Sequence, residues 1–229
     1  MPLTVDRTQR HHYRDGSKEY FSVSQVCHLL DPMRYWLTEL DPAEPFQHGD
    51  PKRAAALRKA RRRGKIVHAL CAEILRHRAG QCSFPTLKEE YRQVAEAFSN
   101  WCNLVDLRPT AIEEPRVSAV PYYSYAGTPD AVGELTWRGK RVTAVVEIKT
   151  GSPQAWHRVQ VVAYTKLVPE ASVVHRVYVD KLGGSAYLRK VRPSDITPKI
   201  ESTTVRNTKA RDWAVFCSAL NVLTWRTSP

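Results

Sequence analysis

Along this chain the spacing of apolar residues changes twice, and the changes separate regions of different secondary structure. Between residues 51 and 105 apolar positions recur every three or four residues, the helical interval. From about residue 111 they recur every second residue, the interval of a strand with one buried face. Residues 1–50 follow neither rule: short apolar runs are cut by Asp31-Pro32, Asp41-Pro42 and Glu44-Pro45, which predicts an irregular opening segment of strand fragments and one short helix. Asp50-Pro51 then supplies an N-cap and a first-turn proline for a helix running to Gly80, with Gly64 as the place for a bend. Its second half puts Ile66, Leu70, Ile74 and Leu75 on an apolar face. Thr86-Leu-Lys-Glu89 reads as a capping box, and Leu87, Tyr91, Val94, Phe98, Trp101 and Val105 follow on a core-facing stripe.

The alternating part predicts strands at 111–119, 125–137, 141–149, 173–180 and 185–191. Ser152-Pro153 opens a helix through about Val168, and Lys209 to Trp225 carries Trp213, Phe216, Leu220 and Leu223 as a final amphipathic helix. Together these predict one domain, residues 1–229, of the α/β (α+β) class: a mostly antiparallel meander interrupted by one helix, with helices on either side.

Charge adds a partner to this picture. The chain has 35 basic and 23 acidic side chains and a net charge of +12, a surplus suited to a polyanion, with nucleic acid the first candidate. The surplus is concentrated: Lys52, Arg53, Arg58, Lys59, Arg61, Arg62, Arg63 and Lys65 share one helical stretch with no acid among them. Charge runs on helices are commonly solvated faces, but the missing counter-charges favour phosphate here, with Arg58, Arg61, Arg62, Arg63 and Lys65 as DNA-binding candidates. The five cysteines are scattered and form no C-x-x-C pair, against a disulfide framework, a zinc knuckle or a cysteine-held iron-sulfur cluster. No stretch approaches the roughly 20 apolar residues of a membrane span, and the N-terminus lacks a signal-like core. The expectation is a soluble, intracellular, cytoplasmic protein with no membrane partner. Nothing in the pattern fixes an oligomeric state.

The informative chemistry lies between Gly127 and Gly151. Two strand-like runs meet at Arg138-Gly139, and with those residues as the hairpin loop Leu135 faces Val142, Gly133 faces Ala144 and Ala131 faces Val146. That register makes one face wholly apolar and sets Asp130 opposite Glu147, with Lys149 on the same face as Glu147. A slip of one residue would mix polar and apolar side chains across the sheet. Two facing carboxylates repel, and their burial is costly unless a cation intervenes. A magnesium or manganese ion suits oxygen ligands from Asp130, Glu147 and the Ile148 carbonyl, with Lys149 beside the attacking water. On a lone strand, Glu-x-Lys is far more often a solvated ion pair; the facing Asp130, the Gly-Thr-Pro turn and the basic helix tip the balance.

These residues resemble the PD-(D/E)XK nuclease signature, here Pro129-Asp130 followed by Glu147-Ile148-Lys149. Gln160-Val-Val-Ala-Tyr164 is similar to the Q-x-x-x-Y motif after the catalytic strand in RecB-type nucleases and their phage and mitochondrial relatives. Gly64-Lys-Ile-Val-His68 resembles the helix that gives that group a metal-site histidine, although the acid expected at position 72 is alanine and Glu73 lies one place on. Phe21-Ser-Val-Ser-Gln25 resembles a short early motif of the mitochondrial genome-maintenance exonucleases. The resemblance spans roughly residues 60–170. It implies a restriction-endonuclease-like core, a central mixed sheet flanked by helices with an N-terminal helical region. It implies Asp130, Glu147, Lys149, Gln160 and Tyr164 as catalytic residues, with His68, Asp130, Glu147 and Ile148 around Mg2+ or Mn2+ and no iron-sulfur cluster. Gln160 and Tyr164 would contact a DNA strand or the active-site loop, and Glu113 or Glu114 is either a further acid or ordinary strand-edge charge. Trp156, Tyr122 and Tyr123 stack on unpaired bases if exposed and belong to the core if not. The leading expectation is a DNA exonuclease acting on ends in recombination, repair or replication. An endonuclease of the same fold and a non-catalytic nucleic-acid-binding module stand as alternatives.

Overall fold

The structure, a computed structural model, describes residues 4–6, 12–30, 51–182, 198–204 and 210–227. Strands β1 (Thr4–Asp6), β2 (His12–Asp15) and β3 (Lys18–Ser22) lead into a short helix α1 (Val23–His28). Helices α2 (Pro51–Arg78) and α3 (Glu89–Leu104) follow. Then come β4 (Arg108–Ile112), β5 (Arg116–Val117), β6 (Tyr125–Gly127), β7 (Ala131–Trp137) and β8 (Lys140–Lys149). Helix α4 (Trp156–Leu167) leads to β9 (Val173–Leu182), β10 (Pro198–Thr204) and α5 (Ala210–Thr227). The fold is α/β: a central mixed sheet ordered β10-β9-β8-β7-β4 is flanked by helices, and a second sheet is ordered β1-β2-β3-β6-β5. The strand expected at 185–191 and the cap expected from Asp50 lie outside the described residues.

The central hairpin has the register that the hydrophobic pattern required: Ala131 pairs with Val146, Gly133 with Ala144 and Leu135 with Val142. Arg138 and Gly139 both have positive φ, 50° and 74°, the twist that two-residue hairpins need. One face of this sheet packs on α2 and α3, where Ala131, Leu135, Ala144, Val146 and Ile148 meet Val67, Cys71, Ile74, Phe98 and Trp101. The other face packs on α1, α4 and α5, where Val132, Val145 and Val174 meet Val26, Val161, Tyr164 and Phe216. Helix α4 is buried on most sides, and its buried residues include the polar His157, Gln160 and Thr165 beside the apolar ones. Each fully buried Leu, Ile or Phe contributes roughly 1.5–3 kcal/mol, so both faces are needed.

Several local expectations are corrected. The strand read at 111–119 is two strands in different sheets, because Glu113 turns the chain at φ 49° and Pro115 offers no N–H to a ladder. The strand read at 125–137 is likewise split at Thr128-Pro129-Asp130, where β6 leaves the second sheet and β7 joins the central one. The meander is mostly antiparallel, as expected, and the helix that interrupts it, α4, is a crossover that makes β8 and β9 parallel. Thr86 caps nothing. Helix α3 starts at Glu89, with Lys88 at the cap and no side-chain bond, and Glu89 pairs instead with Arg92 at 2.8 Å. Ser152-Pro153 also precedes its helix, which starts at Trp156. A capping box does form at Ser22 and Gln25, with bonds of 2.7 and 3.0 Å, so the Phe21–Gln25 segment opens α1. Helix α2 runs unbroken through Gly64.

His175 on β9 lies buried between Trp101 and Trp137, with Ser202 Oγ 2.9 Å from Nδ1 and no partner for Nε2. Burial holds its pKa down at about 4. His157, held down to about 3 by burial and by Lys149 and Arg176, acts in the same sense. An unfolded histidine takes a proton near pH 6.5, which the folded chain refuses until near pH 4, so stability present above pH 6.5 is lost as pH falls through that interval. His175 accounts for a loss on the order of 3 kcal/mol. Urea unfolding at pH 7 and pH 4.5 should show a smaller drop for His175→Phe than for the wild type; equal drops would contradict this.

Candidate active site

The hairpin register brings the acids together. Asp130 stands just before β7, and Glu147 and Lys149 close β8 on the face that looks toward α4. Asp130 Oδ2 accepts the Ile148 N–H at 2.7 Å, and its carbonyl accepts the Glu113 N–H at 3.1 Å. Continuing the register sets Pro129 across from Ile148. Proline has no N–H, so the Ile148 carbonyl receives no ladder bond from that residue, consistent with its expected place as an oxygen ligand. On the other side, His68 Nδ1 of α2 lies 3.3 Å from Asp130 Oδ1.

Gly64 explains how α2 comes so close. A Cβ there would stand 3.0 Å from Thr150 Oγ1, immediately after β8, so the glycine serves a close approach instead of a bend. His68 is four residues on, on the same helical edge.

Glu147 and Lys149 are 3% and 8% exposed, which makes their partners decisive. Lys149 Nζ donates to Glu147 Oε1 at 2.8 Å and to Gln160 Oε1, and lies 5.5 Å above the Trp156 ring. Gln160 Nε2 in turn donates to the Tyr164 hydroxyl at 3.3 Å. Gln160 and Tyr164 are both buried, and the pair stands behind Lys149. Tyr164 also marks the close passage of β6: a Cβ on Gly127 would meet its Cε1 at 2.8 Å.

Burial pushes the Glu147 carboxyl up to about 7, with the Asp130 charge adding to the rise and Lys149 opposing it. Burial also acts to raise Asp130, but His68, Lys149 and the Ile148 N–H outweigh it and hold the group below the usual carboxylate range. For His68, burial opposes the charge, while the charge and hydrogen bond of Asp130 raise the net pKa. The arrangement thus leaves Glu147 the less well compensated of the two acids. The clearest sign is Glu147 Oε2, which is buried and has no hydrogen-bond partner.

A hard divalent cation fits this gap. Among the described residues no group of three His, Cys, Asp or Glu side chains forms a ready-made cage. Magnesium and manganese need no such cage, since one or two carboxylates with water and substrate phosphate complete their shell. Asp130, Glu147 and the Ile148 carbonyl are the residues that would hold the ion, with His68 at the edge.

Other expected residues fall elsewhere. Glu73 is exposed, Glu113 pairs with Arg76 at 2.6 Å, and Tyr123 packs edge-on against Trp213. Trp156 covers Lys149, whereas Tyr122 is fully exposed. Arg58, Arg61, Arg62, Arg63 and Lys65 are exposed on the N-terminal half of α2. Sequence reasoning missed three neighbours. Tyr13 of β2 is buried and bonds Thr128 Oγ1 at 2.7 Å, fixing the turn before Asp130. Cys27 of α1 lies near enough to feel both Glu147 and Lys149, with burial pushing its thiol up to about 12. Arg176 stands beside Glu147 on β9 but turns to Glu201 at 2.9 Å. Only contacts between distant segments identify these three; no local motif does.

No family model matches this chain, and no curated protein matches it. Among solved structures the chain is similar to that of a protein named SSO0001, with 18% identity, 94% of this chain and 81% of that chain covered, and a TM-score of 0.40.

Replacing Lys149 by methionine keeps the length and removes the cation paired with buried Glu147, a loss on the order of 3 kcal/mol. Urea unfolding in EDTA at pH 8 should show this, and adding Glu147→Gln should restore part of it. Unchanged stability in Lys149→Met would contradict the placement of Lys149 as counter-charge.

Proposed function

We propose that this chain is a metal-dependent deoxyribonuclease of PD-(D/E)XK type, hydrolysing phosphodiester bonds with Asp130, Glu147 and Lys149. The observation that carries this reading is the unpartnered, buried Glu147 Oε2 beside Asp130 in a site held by Lys149 and His68. In a structural ion-pair cluster a buried carboxylate oxygen is ordinarily paired. Residues from α2, the β7–β8 hairpin and α4 converge here although they lie far apart in the chain.

A bound magnesium or manganese ion supplies Lewis-acid stabilisation of charge on phosphate and water. The protein's own groups have separate tasks. Asp130 is held ionised by His68, Lys149 and the Ile148 N–H and supplies an anionic oxygen. Lys149, fixed by Glu147 and by Gln160 backed by Tyr164, presents a positive charge where negative charge builds on the phosphate. Among the described residues no helix is long and apolar enough to cross a membrane. Exonuclease action on DNA ends is the leading form of the reading, with an endonuclease the alternative.

Digestion of end-labelled linear and circular DNA, single- and double-stranded, with magnesium, manganese or EDTA tests this. The expected outcome is metal-dependent loss of linear DNA alone, at least a hundredfold slower in Lys149→Ala. Loss of circular DNA would make the protein an endonuclease; intact DNA in every lane, or full activity in Lys149→Ala, would contradict the proposal.

A further inference from the structure

Strand β9 sets Arg176 between two carboxylates. The ladder with β8 pairs it with Glu147, and the ladder with β10 pairs it with Glu201. Cross-strand partners project from the same face of a sheet, and neighbouring strands lie about 4.8 Å apart, so a guanidinium on this rank can reach either acid. Glu147 is the more buried of the two, and its Oε2 has no hydrogen-bond partner. Arg176 nevertheless turns the other way, to Glu201 Oε2 at 2.9 Å.

That choice has a local cause. Glu201 is held from two further sides: Lys199 Nζ lies 3.1 Å from its Oε1, and the Tyr178 hydroxyl donates to its Oε2 at 3.4 Å. Tyr178 is the ladder partner of both Lys149 and Lys199, and its hydroxyl lies 3.3 Å from His157 Nδ1 of α4. Glu201 is thus fixed to the packed face of the sheet, where it offers Arg176 a carboxylate that is still in contact with water. On the opposite side, Lys149 already takes Glu147 Oε1 and leaves Oε2 as the open atom. A guanidinium and a divalent cation compete for the same carboxylate lone pairs, so an arginine seated on Oε2 closes that atom to the ion.

We infer that Glu201 is a positioning residue for the metal site: it holds Arg176 on the β10 side of β9 and keeps Glu147 Oε2 open to a divalent cation, and without it Arg176 turns inward and occupies that oxygen. The inference rests on the metal-dependent reading of the site given above.

Manganese binding at pH 8 without DNA, followed by the loss of the free-ion electron paramagnetic resonance signal, tests it. Glu201→Gln should bind Mn2+ at least tenfold more weakly than the wild type, and adding Arg176→Met, which removes the competitor, should restore binding to within about threefold. Adding Lys199→Met instead makes the same change of charge but leaves Arg176 in place, and binding should stay weak. Equal recovery in the two double variants would reduce the effect to net charge and overturn the inference. Recovery in neither, the result of a Glu201→Gln change that only loosens the sheet, would overturn it too, as would undiminished binding by Glu201→Gln alone. Each of these outcomes, with Mn2+ bound by the wild type, sinks the inference and leaves the metal reading standing; no binding by the wild type sinks both.

Discussion

Everything around this site answers to one repulsion. The β7–β8 register, which is the only one that keeps a continuous apolar face against α2 and α3, forces Asp130 and Glu147 side by side at the end of the sheet. Burial then raises the cost of their two charges. Lys149, His68 and the Ile148 N–H each reduce that cost, and Gln160 and Tyr164 hold Lys149 in place. Glu147 Oε2 is left without a hydrogen-bond partner, and that is where the proposed reading places a further positive charge.

The rest of the fold serves to hold those compensating groups at the right depth. Two glycines permit close approaches beside the site, Gly64 letting α2 pass against Thr150 and Gly127 letting β6 pass against Tyr164. Tyr13 ties the second sheet to the Thr128-Pro129-Asp130 turn, so the opening strands belong to the site's support and are not an appendage. Helix α2 changes character along its length: from Gly64 onward it packs against the sheet, and before it the described side chains are exposed and mostly basic.

How much of this was legible in the sequence follows from the range of the interactions. The hairpin was fully readable, because a period of two and an Arg-Gly turn fix the register locally, and the register places Asp130, Glu147 and Lys149. The resemblance led to His68, Gln160 and Tyr164, but the sequence could not show that the last two face inward to Lys149. Helix starts were misread at Thr86 and Ser152 because a serine or threonine near a helix favours a cap without compelling one, and tertiary packing chose later starts. The switch of β4–β5 and β6–β7 between sheets was hidden, since alternation is the same in either sheet. Tyr13, Cys27 and Arg176 reach the site through contacts between distant segments, which leave no pattern in a single sequence.

The central claim is that the two acids await a divalent cation, and manganese binding measures it most directly. Titration of the wild type, Asp130→Asn and Glu147→Gln with Mn2+, followed by the loss of the free-ion electron paramagnetic resonance signal, needs no DNA and no turnover. The wild type should bind Mn2+ saturably, and each variant at least tenfold more weakly. Equal binding by all three proteins, or none by the wild type, would contradict that claim.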